Sequence, residues 1–267
     1  MASKVPRWLV GCGIGCGVLL VLALVAAGVG AVFFSRMMGD IDRATELRAE
    51  VEKRFDTPEN FTPLPDGSVT PDRLERFLQV RRALEPLCSR FENTVGRIEE
   101  FDDTDDMPGL LDLFGFMGGV LGLPQLVADY VGVRNQTLLD AEMGLGEYTY
   151  IYVMAYSAGP AQNELEERRL GKPLSRRISD NVVDMLERQR QLLATTKEGT
   201  NELARLDGEI GELRAEDRRR PWMDGLPPAI ADSLRPRQQE LARLACPQAA
   251  DFALGRTERR GLTVRGD

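Results

Sequence analysis

The chain has 267 residues and a net charge of −8, with 43% hydrophobic and 28% charged residues. This balance is typical of a folded domain, and it excludes general nucleic-acid binding, which depends on an excess of Lys and Arg. The absence of histidine excludes Ser-His-Asp and Cys-His catalysis and removes the commonest nitrogen ligand of zinc.

The first predicted element is an apolar helix from Trp8 to Phe34, which contains no charged side chain. At about 1.5 Å per residue it is longer than the apolar core of a bilayer, about 30 Å. We therefore assign residues 1–35 to a permanent transmembrane anchor. A cleaved signal peptide is the weaker alternative because its apolar core is usually shorter. A lipoprotein signal at Cys12 is weaker still, because Arg7 leaves no apolar core before that cysteine.

The anchor carries two further signals. Gly11 and Gly15 have the spacing that lets two membrane helices approach closely. The spacing predicts self-association, and the alternative is a glycine-rich helix without a partner. Lys4 and Arg7 precede the helix and favour a cytoplasmic N-terminus with the remainder outside. Against this orientation stand the basic residues that follow the helix, namely Arg36, Arg43, Arg48, Lys53 and Arg54.

Two connecting regions follow the anchor. Residues 36–55 are predicted to form a helical stalk with one apolar stripe at spacings of three and four. The stripe comprises Ile41, Ala44, Leu47, Val51 and Phe55. Residues 56–70 contain three prolines and one glycine, a composition that predicts a loop or linker.

A soluble domain is predicted over residues 71–255. Thr70, Pro71 and Asp72 form a helix-start pattern. The apolar face then continues through Leu74, Phe77, Leu84, Leu87, Phe91, Val95, Ile98 and Phe101. We expect Pro86 to kink or divide this helix because it lacks a backbone N–H.

Two segments resemble parts of known sequences. Residues Thr62 to Leu84 (TPLPDGSVTPDRLERFLQVRRAL) and Glu147 to Tyr156 (EYTYIYVMAY) resemble segments of uncharacterised bacterial single-pass membrane-anchored proteins. The resemblance covers about a sixth of the chain. It implies a bacterial envelope setting and transfers no activity, ligand or site. Together with the predicted single-pass anchor, this setting leads us to expect the bacterial inner membrane.

The stretch from Leu110 to Leu123 is apolar except for Asp112. It is too short for a membrane span, so it is predicted to belong to the core. The alternative is a patch that dips into the membrane or contacts a lipid, which would also make it a candidate surface for a hydrophobic ligand or partner.

The remaining patterns are mainly helical. Residues Gln125 to Ala141 fit a helix. The tyrosines between Glu147 and Ala158 recur at a spacing of four, which favours a helix over a strand. Two antiparallel helices are predicted around Gly199, and a last helical region follows Pro228. Residues 256–267 are predicted to form a polar tail.

No catalytic, cofactor-binding or metal-binding residue is predicted. The acidic run from Asp102 to Asp106 fails as a calcium loop, because Met107 and Leu113 stand where Gly and Glu are required. It is interpreted as a solvated helix end. The basic run from Arg218 to Arg220 is interpreted in the same way, with contact to anionic lipid or phosphate as the alternative. Cys88 and Cys246 form either a disulfide or two buried, reduced thiols.

The sequence thus predicts an all-α protein, with an N-terminal transmembrane helix and stalk followed by a helical, bundle-like soluble domain. The expected function is non-enzymatic binding of an unknown protein partner, or scaffolding, in the bacterial envelope, without a cofactor. The alternative is a membrane-tethered binder of a lipid or other apolar ligand. An enzyme that uses carboxylates in a cleft is the third hypothesis.

Overall fold

Helices form all the regular secondary structure in the part of the chain that is described. The computed structural model describes residue 35 and residues 38–102, 110–156, 176–195, 200–215, 221–222 and 224–254. None of these residues lies in a strand, so the all-α prediction is confirmed. In chain order we number the helices α1 (38–55), α2 (Pro71–Asp102), α3 (Leu110–Asp140), α4 (Leu145–Tyr156), α5 (Arg176–Thr195), α6 (Thr200–Arg214), α7 (Pro228–Leu234), α8 (Gln238–Arg243) and α9 (Ala250–Ala253). Short 3-10 turns lie at Pro58–Asn60, Arg235–Arg237 and Pro247–Ala249.

Helices α2 and α3 form an antiparallel pair. Near the start of α2, Arg76 donates a hydrogen bond to the carbonyl oxygen of Ala141, just after the end of α3. Further along α2, Arg90 pairs with Asp129. The division expected at Pro86 does not occur, because α2 runs through it without a break. The proline ring lies on the exposed face of the helix, where its missing N–H leaves no buried carbonyl without a donor.

Helix α4 lies at the centre of the fold. Every one of its residues except Glu147 and Ala155 is buried. A helix that is apolar on all sides is stable only when other elements surround it. The prediction of a helix for this tyrosine-rich segment is confirmed, and its central position explains why no single apolar stripe marks it.

The helix predicted as a stalk and the proline-rich segment after it both pack against the other helices. In α1, Ala44 and Val51 are buried, and the carbonyl oxygen of Ala44 accepts a hydrogen bond from Asn135 of α3 (3.0 Å). The apolar stripe predicted for this helix therefore faces the domain. Residues 56–70 pass over α4, where a Cβ on Gly146 would lie 2.5 Å from the Cβ of Phe61. Only a glycine permits this approach.

The C-terminal segment runs alongside α2 and parallel to it. Glu240 pairs with Arg82, and Arg243 pairs with Glu85. One turn further along α2, Cys246 forms a disulfide with Cys88, with the two Cα atoms 5.6 Å apart. This separation is the usual one for a bridged pair, so the structure resolves the two alternatives for these cysteines in favour of the disulfide.

Helices α5 and α6 form a second antiparallel pair. Arg190 and Glu187 of α5 form ion pairs with Asp207 and Arg214 of α6, respectively. The earlier residue of α5 pairs with the later residue of α6, so the two helices run antiparallel, as predicted. Within the described ranges, no helix is both long enough and apolar enough to cross a membrane. The anchor predicted from Trp8 to Phe34 lies outside those ranges.

Candidate functional site

The loop that precedes α2 and the first part of α4 meet in the structure and line one cavity. The cavity has a volume of about 200 Å³. Its floor is apolar and includes Val69 from the loop and Tyr150 and Ile151 from α4, all of which are buried. Its rim includes Thr62 and Leu64. Leu64 keeps 45% of its surface exposed.

One wall of the cavity is the stretch of chain Phe61–Leu64, which we call the edge segment. It ends in a turn that the N–H of Gly67 closes by donating to the carbonyl oxygen of Leu64 (2.8 Å). Gly67 has a φ of +72°, a left-handed conformation that favours glycine. A Cβ on this glycine would also meet Tyr150 and Gln189 at 3.0 Å or less.

The domain holds the edge segment and its turn through backbone carbonyls. Arg188 donates to the carbonyl oxygen of Phe61 (3.0 Å), and Gln189 donates to that of Pro65 (3.2 Å). The hydroxyl of Tyr150 donates to the carbonyl oxygen of Gly67 (2.7 Å). Three side chains from two helices therefore fix the position of this wall before any ligand arrives.

A charged pair stands at the end of the cavity that is nearest to α2. Arg73 follows the N-cap residue Thr70, and its guanidinium forms a two-pronged ion pair with the carboxylate of Glu147. The same guanidinium donates to the carbonyl oxygen of Glu142 (3.2 Å). The side chain of Glu147 is only 15% exposed. Because Arg73 holds both of its oxygens, this carboxylate is poorly placed to act as a general acid or base.

A second polar group lies deeper, beneath α4. Arg81 is 1% exposed, and it donates hydrogen bonds to the hydroxyl oxygens of Tyr130 and Tyr148 (both 3.2 Å) and to the carbonyl oxygen of Leu244 (2.6 Å). Its guanidinium carbon lies 5.3 Å from the ring centroids of both Tyr152 and Tyr156. Within the described residues no carboxylate contacts it. Neutral dipoles and aromatic faces therefore hold this cation.

The buried groups have shifted pKa values. Burial by itself lowers the pKa of Arg81, but the surrounding tyrosines, Tyr148 and Tyr130 foremost, more than offset this and hold it well above its ordinary value. Burial raises the pKa of Tyr156 to about 12 and that of Tyr130 further. Burial lowers the pKa of Arg134 to about 10. At neutral pH Tyr130 and Tyr156 are neutral and both arginines are charged, so the cluster serves as a polar scaffold.

The structure does not bring the residues singled out in the sequence together at one place. The tyrosine series Tyr148, Tyr152 and Tyr156 belongs to the core, around Arg81. The stretch Leu110 to Leu123 forms the first part of α3, but most of its side chains lie outside the described residues, so its core and lipid-contact interpretations both stay open. The glycine pair at Gly11 and Gly15, the acidic run beyond Asp102 and the basic run from Arg218 to Arg220 also lie outside the described ranges.

Sequence reasoning missed the two buried arginines and the edge segment. Arg81 falls on the apolar stripe between Phe77 and Leu84, and such a position for a charged residue is a usable signal. The edge segment gave no comparable signal, because a proline-rich composition predicts a solvated linker.

Within the part of the chain that the structure describes, no group of three or more cysteine, aspartate or glutamate residues could hold a metal ion. No family model matches the chain, and no curated protein or solved structure is significantly similar to it.

Proposed function

We propose that this protein is a non-enzymatic protein-binding or scaffolding domain, held at the outer face of a bacterial inner membrane by one N-terminal transmembrane helix. The observation that carries the binding role is the edge segment beside the cavity. A wall that is already fixed by Arg188, Gln189 and Tyr150 loses little conformational freedom when a partner binds. A small apolar cavity next to such a wall is the kind of pocket that receives an anchor side chain of a partner.

The position outside the cytoplasm is supported by the disulfide between Cys88 and Cys246. Disulfides persist in oxidising compartments and are rare in the cytosol. The short basic N-terminal tail supports the same orientation.

The non-enzymatic role is supported by the state of the polar groups near the cavity. Glu147 is the cavity's carboxylate, and Arg73 engages both of its oxygens. The remaining buried cluster, around Arg81, lies in the core and makes its hydrogen bonds to tyrosine hydroxyls and a backbone carbonyl. These groups stabilise the fold and are not arranged to act on a substrate.

The test is photo-crosslinking in living cells with the full-length chain. A benzophenone amino acid replaces Leu64 at the cavity rim in one variant and Leu192 on α5 in a matched control. Both leucines are exposed, at 45% and 41%, so they sample bulk solvent similarly. We expect a discrete protein adduct from position 64 that is absent from position 192.

Two other outcomes contradict the proposal. Equal adduct patterns from both positions indicate non-specific contact. Crosslinks from position 64 to lipid alone favour the membrane-tethered lipid binder over a protein-binding domain.

A further inference from the structure

Helices α1 and α3 lie side by side and run in the same direction. Gln125 of α3 donates a hydrogen bond to the carboxylate of Asp40 in the first turn of α1 (2.6 Å). At the other end, a Cβ on Gly144, just after α3, would lie 3.0 Å from the Cβ of Phe55, the last residue of α1. The contacts occur in the same order along both helices. The beginning of α3 therefore extends past Asp40 towards the chain that precedes α1.

Helices α2 and α3 both continue beyond the described core at this end of the fold. In α3, Leu126 is buried, whereas none of residues 122–125 is. In α2, Phe91 is buried and the three residues after it are not. Helix α3 begins at Leu110, 15 residues before Gln125, a distance of about 22 Å in an α-helix. The described core therefore ends near Phe91 and Leu126, and the beginning of α3 lies past it.

The chain that precedes α1 brings this end of the fold close to the membrane. The apolar run that is predicted to form the anchor ends at Phe34, six residues before Asp40. Six residues span at most about 21 Å, even when fully extended. Asp40 and its partner Gln125 therefore lie within that distance of the end of the anchor. From Gln125 the beginning of α3 extends about 22 Å towards the same side, which is far enough to reach the bilayer surface.

The first half of α3, Leu110–Leu123, has a composition that suits lipid contact. It contains nine Leu, Phe, Met or Val residues, four glycines and one charged residue, Asp112. It is too short to span a bilayer. Four aspartates between Asp102 and Asp106 precede it in the sequence, and carboxylates are costly in the apolar interior of a membrane. We therefore expect shallow contact, at the boundary between headgroups and acyl chains, where interfacial helices bury an apolar face by about 5–10 Å.

We propose that the first half of α3 rests on the bilayer that holds the anchor and forms a second, shallow membrane contact. The ligand is the phospholipid surface itself. Because α1 is packed against α3, the two contacts hold the domain in one orientation at the membrane. The loop that lines the cavity follows Phe55, about 25 Å along α1 from its first residue, so the lipid contact leaves the cavity accessible. This inference rests on the proposed transmembrane anchor.

The experiment measures lipid contact at Gly122 with a fluorescent label. The full-length chain carries Cys12→Ala and Cys16→Ala, keeps its disulfide, and is reconstituted in vesicles of phosphatidylethanolamine and phosphatidylglycerol. Gly122→Cys and the matched control Gly208→Cys in α6 are each labelled with a nitrobenzoxadiazole dye. Both glycines are exposed helix positions with nothing within 4 Å of an added Cβ, so the two positions tolerate a label equally.

The proposal predicts which label the lipid quenches. A lipid with a nitroxide near the headgroup end of its acyl chain should lower the fluorescence of the label at residue 122 about twofold, because an interfacial helix lies at that depth. The label at residue 208 should change little. A nitroxide at the end of the acyl chain should quench the label at residue 122 less, since the contact is shallow.

A second variant tests the apolar segment itself. Phe114→Ser/Phe116→Ser should reduce the quenching at residue 122, because an interfacial helix binds through its apolar area. It should leave the melting temperature in detergent unchanged, because it removes no core packing. A lower melting temperature would place these residues in the core and overturn the inference.

Equal quenching of the two labels also overturns the inference. A disulfide-linked dimer of unlabelled Gly122→Cys, without lipid quenching, would show that a second copy of the chain covers the segment instead. Extraction of the vesicles at alkaline pH separates this failure from failure of the proposed function. Protein that is extracted has no transmembrane anchor, so the proposed membrane location and this inference are then both wrong. Protein that resists extraction but carries an unquenched label at residue 122 contradicts this inference alone.

Discussion

Arg134 and Asn135 are neighbours in sequence whose buried side chains bind each other. The amide oxygen of Asn135 accepts hydrogen bonds from Nε and Nη2 of Arg134 (3.0 and 2.9 Å). The same asparagine donates to the carbonyl oxygen of Ala44 in α1 (3.0 Å). Arg134 in turn donates to the carbonyl oxygens of Phe252 and Ala253 in α9 (2.6 and 3.2 Å). This pair on α3 thus fastens the first and last described helices to the fold.

Replacing Asn135 should reveal the strength of this junction. Asn135→Leu removes the amide oxygen that accepts from Arg134 and the side-chain donor to the carbonyl oxygen of Ala44. We expect a loss of about 2–4 kcal/mol in the free energy of unfolding, because a hydrogen bond to a charged group contributes about 1.5–3 kcal/mol and one between neutral groups about 0.5–1.5 kcal/mol. Urea unfolding followed by circular dichroism measures it. Asn135→Asp keeps an acceptor for Arg134, so we expect it to lower the free energy of unfolding by less than Asn135→Leu does. An equal decrease for the two variants would contradict this account.

Two glycine-to-alanine changes in helices should have opposite effects. At Gly146 in α4 the new Cβ would lie 2.5 Å from the Cβ of Phe61 and 2.9 Å from the carbonyl oxygen of Pro58. We expect Gly146→Ala to destabilise the fold by about 1–3 kcal/mol, as overpacking does, and to displace the edge segment.

The matched control is Gly208 in α6, where nothing lies within 4 Å of the added Cβ. Gly208→Ala should stabilise the protein by about 0.5–1 kcal/mol, because alanine favours the helix more than glycine does. Thermal unfolding compares the two variants. A stabilising Gly146→Ala would show that the approach of the loop to α4 is looser than the structure has it.

The disulfide should contribute substantially to stability. It joins residues 158 apart in sequence, and closing so long a loop restricts the unfolded chain strongly. We expect Cys88→Ala/Cys246→Ala to lower the free energy of unfolding by about 2–5 kcal/mol. Urea unfolding measures it, with Cys12→Ala/Cys16→Ala as the control that leaves the bridge intact.

The same bridge can be detected in cells. Free thiols are trapped with a maleimide before lysis, and thiols released by reduction are then labelled with a heavier maleimide. We expect Cys88 and Cys246 to take up only the second label. Uptake of the first label at both, under denaturing conditions, would show that the bridge does not form in the cell and would count against an external domain.

Alkaline pH should unfold the protein through its tyrosines. The folded-state pKa of Tyr156 is raised from 10.0 to about 12 by burial, and burial raises the pKa values of Tyr130, Tyr150 and Tyr152 too. Above pH 10 the unfolded state releases these protons first. The stability that depends on neutral tyrosine is therefore fully present below pH 10 and, for Tyr156, is lost as the pH rises towards 12.

Arg134 has the opposite effect on stability above pH 10, because its folded-state pKa is lowered to about 10. The effect of this one arginine is opposed by that of four tyrosines. We expect the free energy of unfolding to fall above pH 10, and Tyr156→Phe to reduce the slope by up to about 1.4 kcal/mol per pH unit. Urea titrations between pH 8 and 11 test this. An unchanged slope in Tyr156→Phe would show that Tyr156 ionises equally easily in both states.

The sequence revealed those features of the fold that depend on local periodicity. The stripe of Ala44 and Val51 predicts both a helix and its buried face, and the spacing of Tyr148, Tyr152 and Tyr156 identifies α4 as a helix. Its central position could not be predicted, because burial on all sides depends on which other helices surround it. Of the two effects predicted for Pro86, a kink or a division of the helix, the division does not occur; the proline lies on the exposed face, where the carbonyl that loses its helical donor can bind water.

The candidate site could not be predicted from the sequence, for a different reason. Thr62 and Glu147 are far apart in sequence, and only the packing of the loop on α4 places both at one cavity. No local pattern encodes that contact.

The separation of Cys88 from Cys246 also has a consequence for biosynthesis. The ribosome makes Cys88 and most of the helices long before it makes Cys246, the bridging partner 158 residues later. Any chain that stops before residue 246 carries a thiol at residue 88 that has no intended partner. Such a thiol is available to quality-control oxidoreductases or to another nascent chain. Completion of the bridge therefore distinguishes a finished molecule from a fragment.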